Sequence, residues 1–263
     1  MTTFVTPPGS DTAGMAKYGL GGMAVVGDLV FAGGMALDLA TLKRLPGADT
    51  VADETRMCFD EIAEGLAATG RALSDIAKIT CYVSDDVHRP ELWRTLKEIF
   101  APGPYPKYVT LEAGIAADCR VEFEVMAVRP GAKSETASTK EFIRSSPLGV
   151  SAGAVTDRLV FASGLAIDAS TMRRVPEAAT IKDEVRVCLQ RIEGTLREAG
   201  LTLKDLAKVT CWVSEEAHRM EFVYAYRDLL APGPYPSRAT FSIGLAGDCR
   251  VQIDALAARP EVG

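Results

Sequence analysis

The sequence has few of the residues that build metal or thiol centres. Its two histidines, His88 and His218, each stand alone beside an arginine, whereas a zinc site usually takes three or four ligands at recognisable spacing. None of the six cysteines forms a CxxC pair, and because no secretion signal is evident we expect reduced thiols. Cys119 and Cys249 precede arginines that would lower a thiol pKa, but neither has a partnered base. We therefore expect no metal and no other cofactor.

Long apolar runs and an excess of basic residues are also missing. No stretch approaches eighteen apolar residues, and residues 1–11 lack the basic and apolar parts of a signal peptide. We therefore expect no membrane partner and a cytoplasmic location. The net charge of -6 disfavours nucleic acid as a partner, because an acidic surface repels phosphate backbones. A small anionic ligand in a locally positive pocket remains compatible with this balance.

The strongest feature that is present is an internal repeat, with a shift of 130 residues and no gap. The block APGPYP at 101–106 recurs at 231–236, and 16 of the 30 positions that begin with this block are identical. The 263-residue chain therefore predicts two tandem domains, covering 14–130 and 144–260. Residues 131–143 between them are mostly small and polar, which is typical of a linker.

Local patterns predict the same elements in both repeats, in the order strand, strand, helix, strand, helix, strand, strand. In repeat one, Thr50 and Asp53 have the spacing of a helix capping box. The strand-like runs are 23–26, 29–32, 77–83, 108–113 and 120–128, and the second helix covers about 89–100. This order predicts an α+β fold, in which each domain is a mixed β-sheet with two helices on one face. The other face needs a cover, and three such domains closing into a barrel would supply it.

Three segments carry a resemblance to a known family. They are GDLVFAGG at 27–34, IAKITCYVS at 76–84 and VEFEVMAV at 121–128, with equivalents at 158–164, 206–214 and 251–258. Together with the order of elements they resemble the RidA/YjgF family, whose fold is chorismate-mutase-like. The resemblance implies trimers with clefts between neighbouring domains. It also implies hydrolysis of 2-iminoacids, or their enamine tautomers, to 2-ketoacids and ammonia.

The resemblance also implies which positions form the site. The family's arginine, which holds the substrate carboxylate, follows a proline-containing turn, and its glutamate, which positions the attacking water, lies fifteen residues later. In repeat one these positions hold Lys107 and Glu122. The family also has a tyrosine in the first strand region that helps to line the cleft, and that position holds Gly21. Lys107 binds a carboxylate as a point charge and not as a planar fork. Glu122 is the candidate catalytic base. The alternative is that the two form an ordinary ion pair across adjacent strands.

Repeat two departs further from the family. The same three positions hold Ser237, Gln252 and Ser151, and Arg238 lies one residue beyond the arginine position. Strand alternation points Arg238 to the opposite face unless a bulge follows Pro236. Gln252 cannot act as a base but can orient a water or bind an amide. Ser237, Arg238 and Gln252 are therefore candidate substrate-binding residues, and repeat two either completes the cleft or is structural.

Several functions remain open. The leading expectation is a divergent enamine or imine deaminase, or a related C–N hydrolase, acting on a small carboxylated substrate. The alternatives are a chorismatase-like hydrolase or lyase on a cyclic acid and a non-catalytic ligand-binding or scaffold protein. Ribonuclease activity is disfavoured because no basic stripe is present. A chain of two domains cannot close a barrel of three, so a homo-oligomer is expected, with a homotrimer first because three chains supply six domains.

Overall fold

Repeat one folds into a six-stranded sheet with helices on one face. The structure, a computed structural model, describes residues 1–146 and 151–259, the side chain of Phe142 excepted. The elements are β1 Thr2–Val5, α1 Thr12–Tyr18, β2 Met23–Val26, β3 Leu29–Gly34, β4 Leu37–Asp38, β5 Lys43–Arg44, α2 Val51–Ala68, β6 Ile76–Val83, α3 Arg89–Ile99, β7 Lys107–Glu112 and β8 Val121–Ala127. The sheet order is β1-β2-β3-β8-β6-β7, with β4 and β5 in a separate hairpin. Only the β6–β7 pair in this sheet is parallel.

Repeat two has the same plan. Its elements are β9 Lys133–Glu135, α4 Ala137–Ser145, β10 Gly153–Thr156, β11 Leu159–Leu165, α5 Ile181–Glu198, β12 Leu206–Val213, α6 Arg219–Leu230, β13 Ser237–Ser242 and β14 Val251–Ala258. They build a second six-stranded sheet in the order β13-β12-β14-β11-β10-β9. The predicted α+β class, with a mixed sheet and two long helices on one face of each domain, is confirmed.

The stretch that we expected to be a linker is ordered. It contains β9, which pairs with β10, and most of α4. Its polar composition has a structural reason, because Lys133 is buried and donates from Nζ to the carbonyl oxygens of Ile76 at 2.7 Å and Pro104 at 2.8 Å. Polar side chains in this segment therefore fasten the start of repeat two to repeat one.

The sequence patterns specify how the helices form and pack. Thr50 and Asp53 make the predicted capping box at the start of α2, with each side chain accepting from the other residue's backbone N–H. Along β8, Phe123 and its alternate neighbours point to the helices, and the ring of Phe123 meets that of Phe59 on α2 at 5.0 Å. Glu122 and Glu124 alternate with these residues and therefore lie on the opposite, helix-free face.

The two repeats cover part of each other's helix-free faces. Strands β6 and β7 of repeat one lie against β10 and β11 of repeat two. Leu111 on β7 and Phe161 on β11 are each only 2% exposed at this interface. A backbone hydrogen bond of 3.1 Å from Glu112 N to the carbonyl of Gly244 also joins the repeats. One side of each sheet thereby becomes an interface inside a single chain.

Candidate functional site

Lys107 lies at the interface between the repeats and is fully buried. Its Nζ forms an ion pair with Asp254 on β14, and the Nζ of Lys78 lies 2.7 Å from the other carboxylate oxygen of Asp254. Burial lowers the pKa of Lys107 to about 8, against the opposing effect of Asp254. Burial alone would raise the pKa of Asp254, but the two lysines outweigh it and hold that pKa low. The ammonium group of Lys107 is thus occupied by a carboxylate of the other repeat.

The structure separates Lys107 from Glu122. Strand β6 lies between β7 and β8, so the alternative of an ion pair across adjacent strands is wrong. Lys107 is level with Lys78, and Lys78 is level with Met126, four residues along β8 from Glu122. At about 3.3 Å per residue, this offset is roughly 13 Å along the strand direction alone. The two predicted residues of repeat one therefore belong to different sites.

Glu122 lies in a groove on the open side of repeat one. The groove has a volume of about 230 Å³, and Gly21 and Glu61 also line it. Burial, followed by the charge of Glu124, raises the pKa of Glu122 above its ordinary value. Tyr82 donates from its hydroxyl to Glu124 at 3.3 Å. Glu122 and Glu61 give the groove an acidic wall, and Gly21 adds no side chain where the family has a tyrosine.

The edge strand of repeat two carries Ser237 and Arg238, both exposed. The pairing of β12 with β13 runs without a register shift, so no bulge turns Arg238 toward the helix-free face. Its guanidinium carbon lies 4.9 Å from the ring centre of Tyr226 and 5.8 Å from that of Phe222, both on α6. In one chain, Arg238 therefore stacks on the helix side of the sheet, and Ser237 faces the helix-free side.

Gln252 borders a small cavity between the repeats. This cavity has a volume of about 40 Å³, and Tyr108 of β7, Ser151, Gln252 and Arg191 of α5 are among its lining residues. Sequence reasoning missed Arg191. The available signal was its counterpart in the repeat, Glu61, which has the opposite charge. The cavity side of repeat two is therefore basic where the groove of repeat one is acidic.

The cysteines are poor candidates for a nucleophile. All six are free and buried. Burial raises the pKa of Cys119 to about 11 and that of Cys249 to about 12, so their neighbouring arginines do not lower these values. Within 1–146 and 151–259, no cluster of three or more His, Cys, Asp or Glu residues is placed to hold a metal ion. No helix in this part of the chain is long and apolar enough to cross a membrane.

Comparison with known proteins gives the family. The family model described as endoribonuclease L-PSP matches residues 11–129 and 147–259. No curated protein matches the chain. Among solved structures, the chain is similar to a protein named YJGH, with 27% identity over 49% of this chain and 96% of that chain and a TM-score of 0.43. It is similar to Rv2704 from Mycobacterium tuberculosis, a member of the YjgF/YER057c/UK114 family, with 25% identity over 49% of this chain and 99% of that chain and a TM-score of 0.39.

A third similar structure is that of E. coli TdcF with bound serine, with 21% identity over 42% of this chain and 87% of that chain and a TM-score of 0.38. The two segments matched by the family model lie one in each repeat and together span most of the 263 residues. The chain therefore belongs to the endoribonuclease L-PSP family, the family of the RidA/YjgF proteins, as a member with two domains in tandem.

Proposed function

We propose that this protein is a divergent imine or enamine deaminase, or a related C–N hydrolase, with Glu122 as the general base. The proposal is carried by the position of Glu122, which is half-buried in an open groove where burial raises its pKa. A raised pKa strengthens a carboxylate as a base and brings its titration closer to neutral pH. The six buried, free thiols fit a reducing compartment, and we propose a cytoplasmic location.

The proposed chemistry needs only water as a second reactant. The carboxylate of Glu122 takes a proton from a water molecule, and the water oxygen attacks the imine carbon. The nitrogen then receives protons and leaves as ammonia, while the carbon becomes the carbonyl of a 2-ketoacid. An imine is already electrophilic, so general base help of about 10²–10⁴-fold is sufficient assistance.

The activity is tested by hydrolysis of freshly generated 2-iminopropionate. We expect the wild-type protein to accelerate ammonia release and Glu122→Gln to reduce that acceleration by about 100-fold or more. The wild-type rate should rise with pH through a midpoint above 4.5, the ordinary pKa of Glu, and this dependence should vanish in Glu122→Gln. A thermal melt of the variant serves as the folding control. Equal rates for the two proteins would reject Glu122 as the base.

The groove of repeat one is half of a cleft, and we propose that repeat two of a second chain completes it. Within one chain, Lys78 of repeat one pairs with Asp254 of repeat two. The corresponding positions in the swapped arrangement are Lys208 and Glu124, which are both exposed and oppositely charged. This contact would bring Ser237 and the edge strand that carries Arg238 beside the groove of Glu122. One chain would then supply the base, and the other would supply the side chains that bind the substrate carboxylate.

Apolar side chains support the same contact. Leu111 and Phe161, buried between the repeats, correspond to Phe241 and Phe31 after the 130-residue shift. Phe241 is 53% exposed and Phe31 is 38% exposed in the single chain. Each chain thus leaves exposed one counterpart of each side of its internal interface, at Phe241 and at Phe31. A contact between these two surfaces of different chains is head-to-tail, and such contacts form closed rings or open chains. We propose a closed homo-oligomer, with the trimer as its first candidate.

A charge reversal tests this assembly. We expect the wild-type protein to sediment as an oligomer, and Lys208→Glu to weaken the assembly because it places two carboxylates together. The double variant Lys208→Glu with Glu124→Lys should restore the oligomer, since the pair is then reversed and not removed. Sedimentation velocity at two protein concentrations measures the proportions of monomer and oligomer. A wild-type protein that remains a monomer at micromolar concentration would overturn the proposal.

A further inference from the structure

Glu61 gives the groove of repeat one a second carboxylate, which the proposed hydrolysis does not use. It belongs to α2, whereas Glu122 belongs to β8, and both line the groove. None of the described residues that line this groove carries a positive charge. Given the hydrolysis proposed above, on which this inference rests, we infer that Glu61 determines specificity. It selects a 2-iminoacid whose side chain ends in a cation, with a guanidinium as the best match.

The carboxylate of Glu61 has no cation of its own. Among the described residues, no side chain forms an ion pair or a hydrogen bond with it. Burial, followed by the charge of Glu64, raises the pKa of Glu61, yet the residue is still exposed to a ligand that enters the groove. A carboxylate that burial and a like charge both disfavour gains from a cation that a ligand brings.

Repeat two shows which cation fits beside this position. The counterpart of Glu61 is Arg191, whose guanidinium donates to the backbone carbonyl of Leu165. Leu165 corresponds to Met35, which lines the groove of repeat one. The carbonyl of Met35 accepts from the N–H of Leu37 at 2.8 Å and keeps a second lone pair. A guanidinium brought by the substrate would therefore meet two acceptors, this carbonyl and the carboxylate of Glu61.

The rest of the groove suits the carbon chain of such a substrate. Apolar side chains, including Met15, Leu20 and Leu37, form most of its lining. The volume of about 230 Å³ holds roughly fifteen or more water-sized spheres at 10–15 Å³ each, so an extended side chain of several atoms fits. The substrate carboxylate is assigned to the edge strand that carries Arg238 in a second chain. The two charges of the substrate thus have separate partners, and the side chain is unchanged by the hydrolysis.

The preference is tested with two imines of nearly the same shape. An amino-acid oxidase generates them from arginine, which carries a guanidinium, and from citrulline, in which an uncharged urea group replaces it. We expect the wild-type kcat/KM to be about tenfold higher for the arginine imine, which is the effect of one charge-assisted hydrogen bond. In Glu61→Gln the ratio should fall to about one. Because the ratio is taken within each protein, a general loss of activity cancels.

Two further variants separate the role of Glu61 from a general effect of charge. Glu61→Arg introduces the residue of repeat two and should reverse the preference, because a like charge repels the guanidinium. Glu64→Gln removes a negative charge from the same helix at a residue that does not line the groove, and it should keep the wild-type preference. Added salt should reduce the wild-type ratio, since it screens an exposed carboxylate.

Binding separates this inference from the proposed hydrolysis. Calorimetric titration with arginine and with citrulline, which the protein does not hydrolyse, should give an arginine Kd about tenfold lower in the wild type and equal values in Glu61→Gln. This result without any imine turnover would reject the hydrolysis and keep the assignment of Glu61. Equal affinities of the wild type for both amino acids, no binding of arginine, or a preference that persists in Glu61→Gln would overturn the assignment.

Discussion

Replacing Asp254 by alanine is expected to lower the free energy of unfolding by about 3–5 kcal/mol. Asp254 holds two lysines of the other repeat, and one of them, Lys107, is fully buried. Without the carboxylate, the buried ammonium keeps its desolvation cost and loses its counter-charge. Urea unfolding of the wild type and the variant, followed by circular dichroism, measures the difference through the shift in midpoint.

The matched control is an exposed ion pair. Glu98→Ala removes the partner of Arg56. The side chain of Glu98 is 64% exposed and that of Arg56 is 47% exposed, so this variant should lower the free energy of unfolding by less than about 1 kcal/mol. The double variant Lys107→Met with Asp254→Leu should recover most of the lost stability, because neither charge then remains buried. An Asp254→Ala protein within about 1 kcal/mol of the wild type would contradict the argument.

The interaction of Asp254 with the two lysines also affects the stability of the protein at acidic pH. The pKa of Asp254 is held below its ordinary value of 3.8 in the folded protein by Lys107 and Lys78, which outweigh burial. Its contribution is therefore fully present above pH ~4 and is lost as the pH falls through the lowered folded pKa. Asp254→Ala should accordingly flatten the acid limb of the stability profile.

Local sequence patterns were enough to predict the fold of each repeat. The capping box at Thr50 and the alternation along β8 depend on residues within a few positions of each other, so they are visible in the sequence. The strand β9 was missed because its partners are distant in sequence: it pairs with β10, and Lys133 donates to two carbonyls of repeat one that are 57 and 29 residues away. Because these partners are distant in sequence, the composition of this polar segment alone could not distinguish it from a linker.

The candidate site was predictable only in part. Alternation placed Glu122 and Glu124 on one face and Arg238 on the opposite face, as the structure has them. The partner of Lys107 was not predictable, because Asp254 lies 147 residues away and meets it only when the two sheets pack. Arg191 has one signal in the sequence, its opposite charge to Glu61 in the other repeat, but the cavity that it borders forms only where the repeats meet.

Replacing Arg120 by alanine is expected to cost about 3 kcal/mol or more in the free energy of unfolding. Arg120 is paired with Glu54, which is fully buried on α2, and its Nε lies 2.9 Å from Oε2 of Glu54. It also donates to the backbone carbonyls of Ala48 at 2.6 Å and Asp49 at 2.9 Å, so it fastens the loop before α2 to the sheet. The variant loses these bonds and leaves a buried carboxylate without its cation.

Repeat two offers a matched comparison for this prediction. Arg250 makes the same pair with the buried Glu184, at 2.9 Å, but Arg174 also lies 3.7 Å from that carboxylate. Arg250→Ala should therefore cost less than Arg120→Ala, since a second cation remains near Glu184. Urea unfolding of both single variants, and of Arg174→Ala with Arg250→Ala, measures the difference. If Arg250→Ala costs as much as Arg120→Ala, the stabilisation comes from the backbone contacts of the arginines, and the charge on the buried glutamate is not the cause.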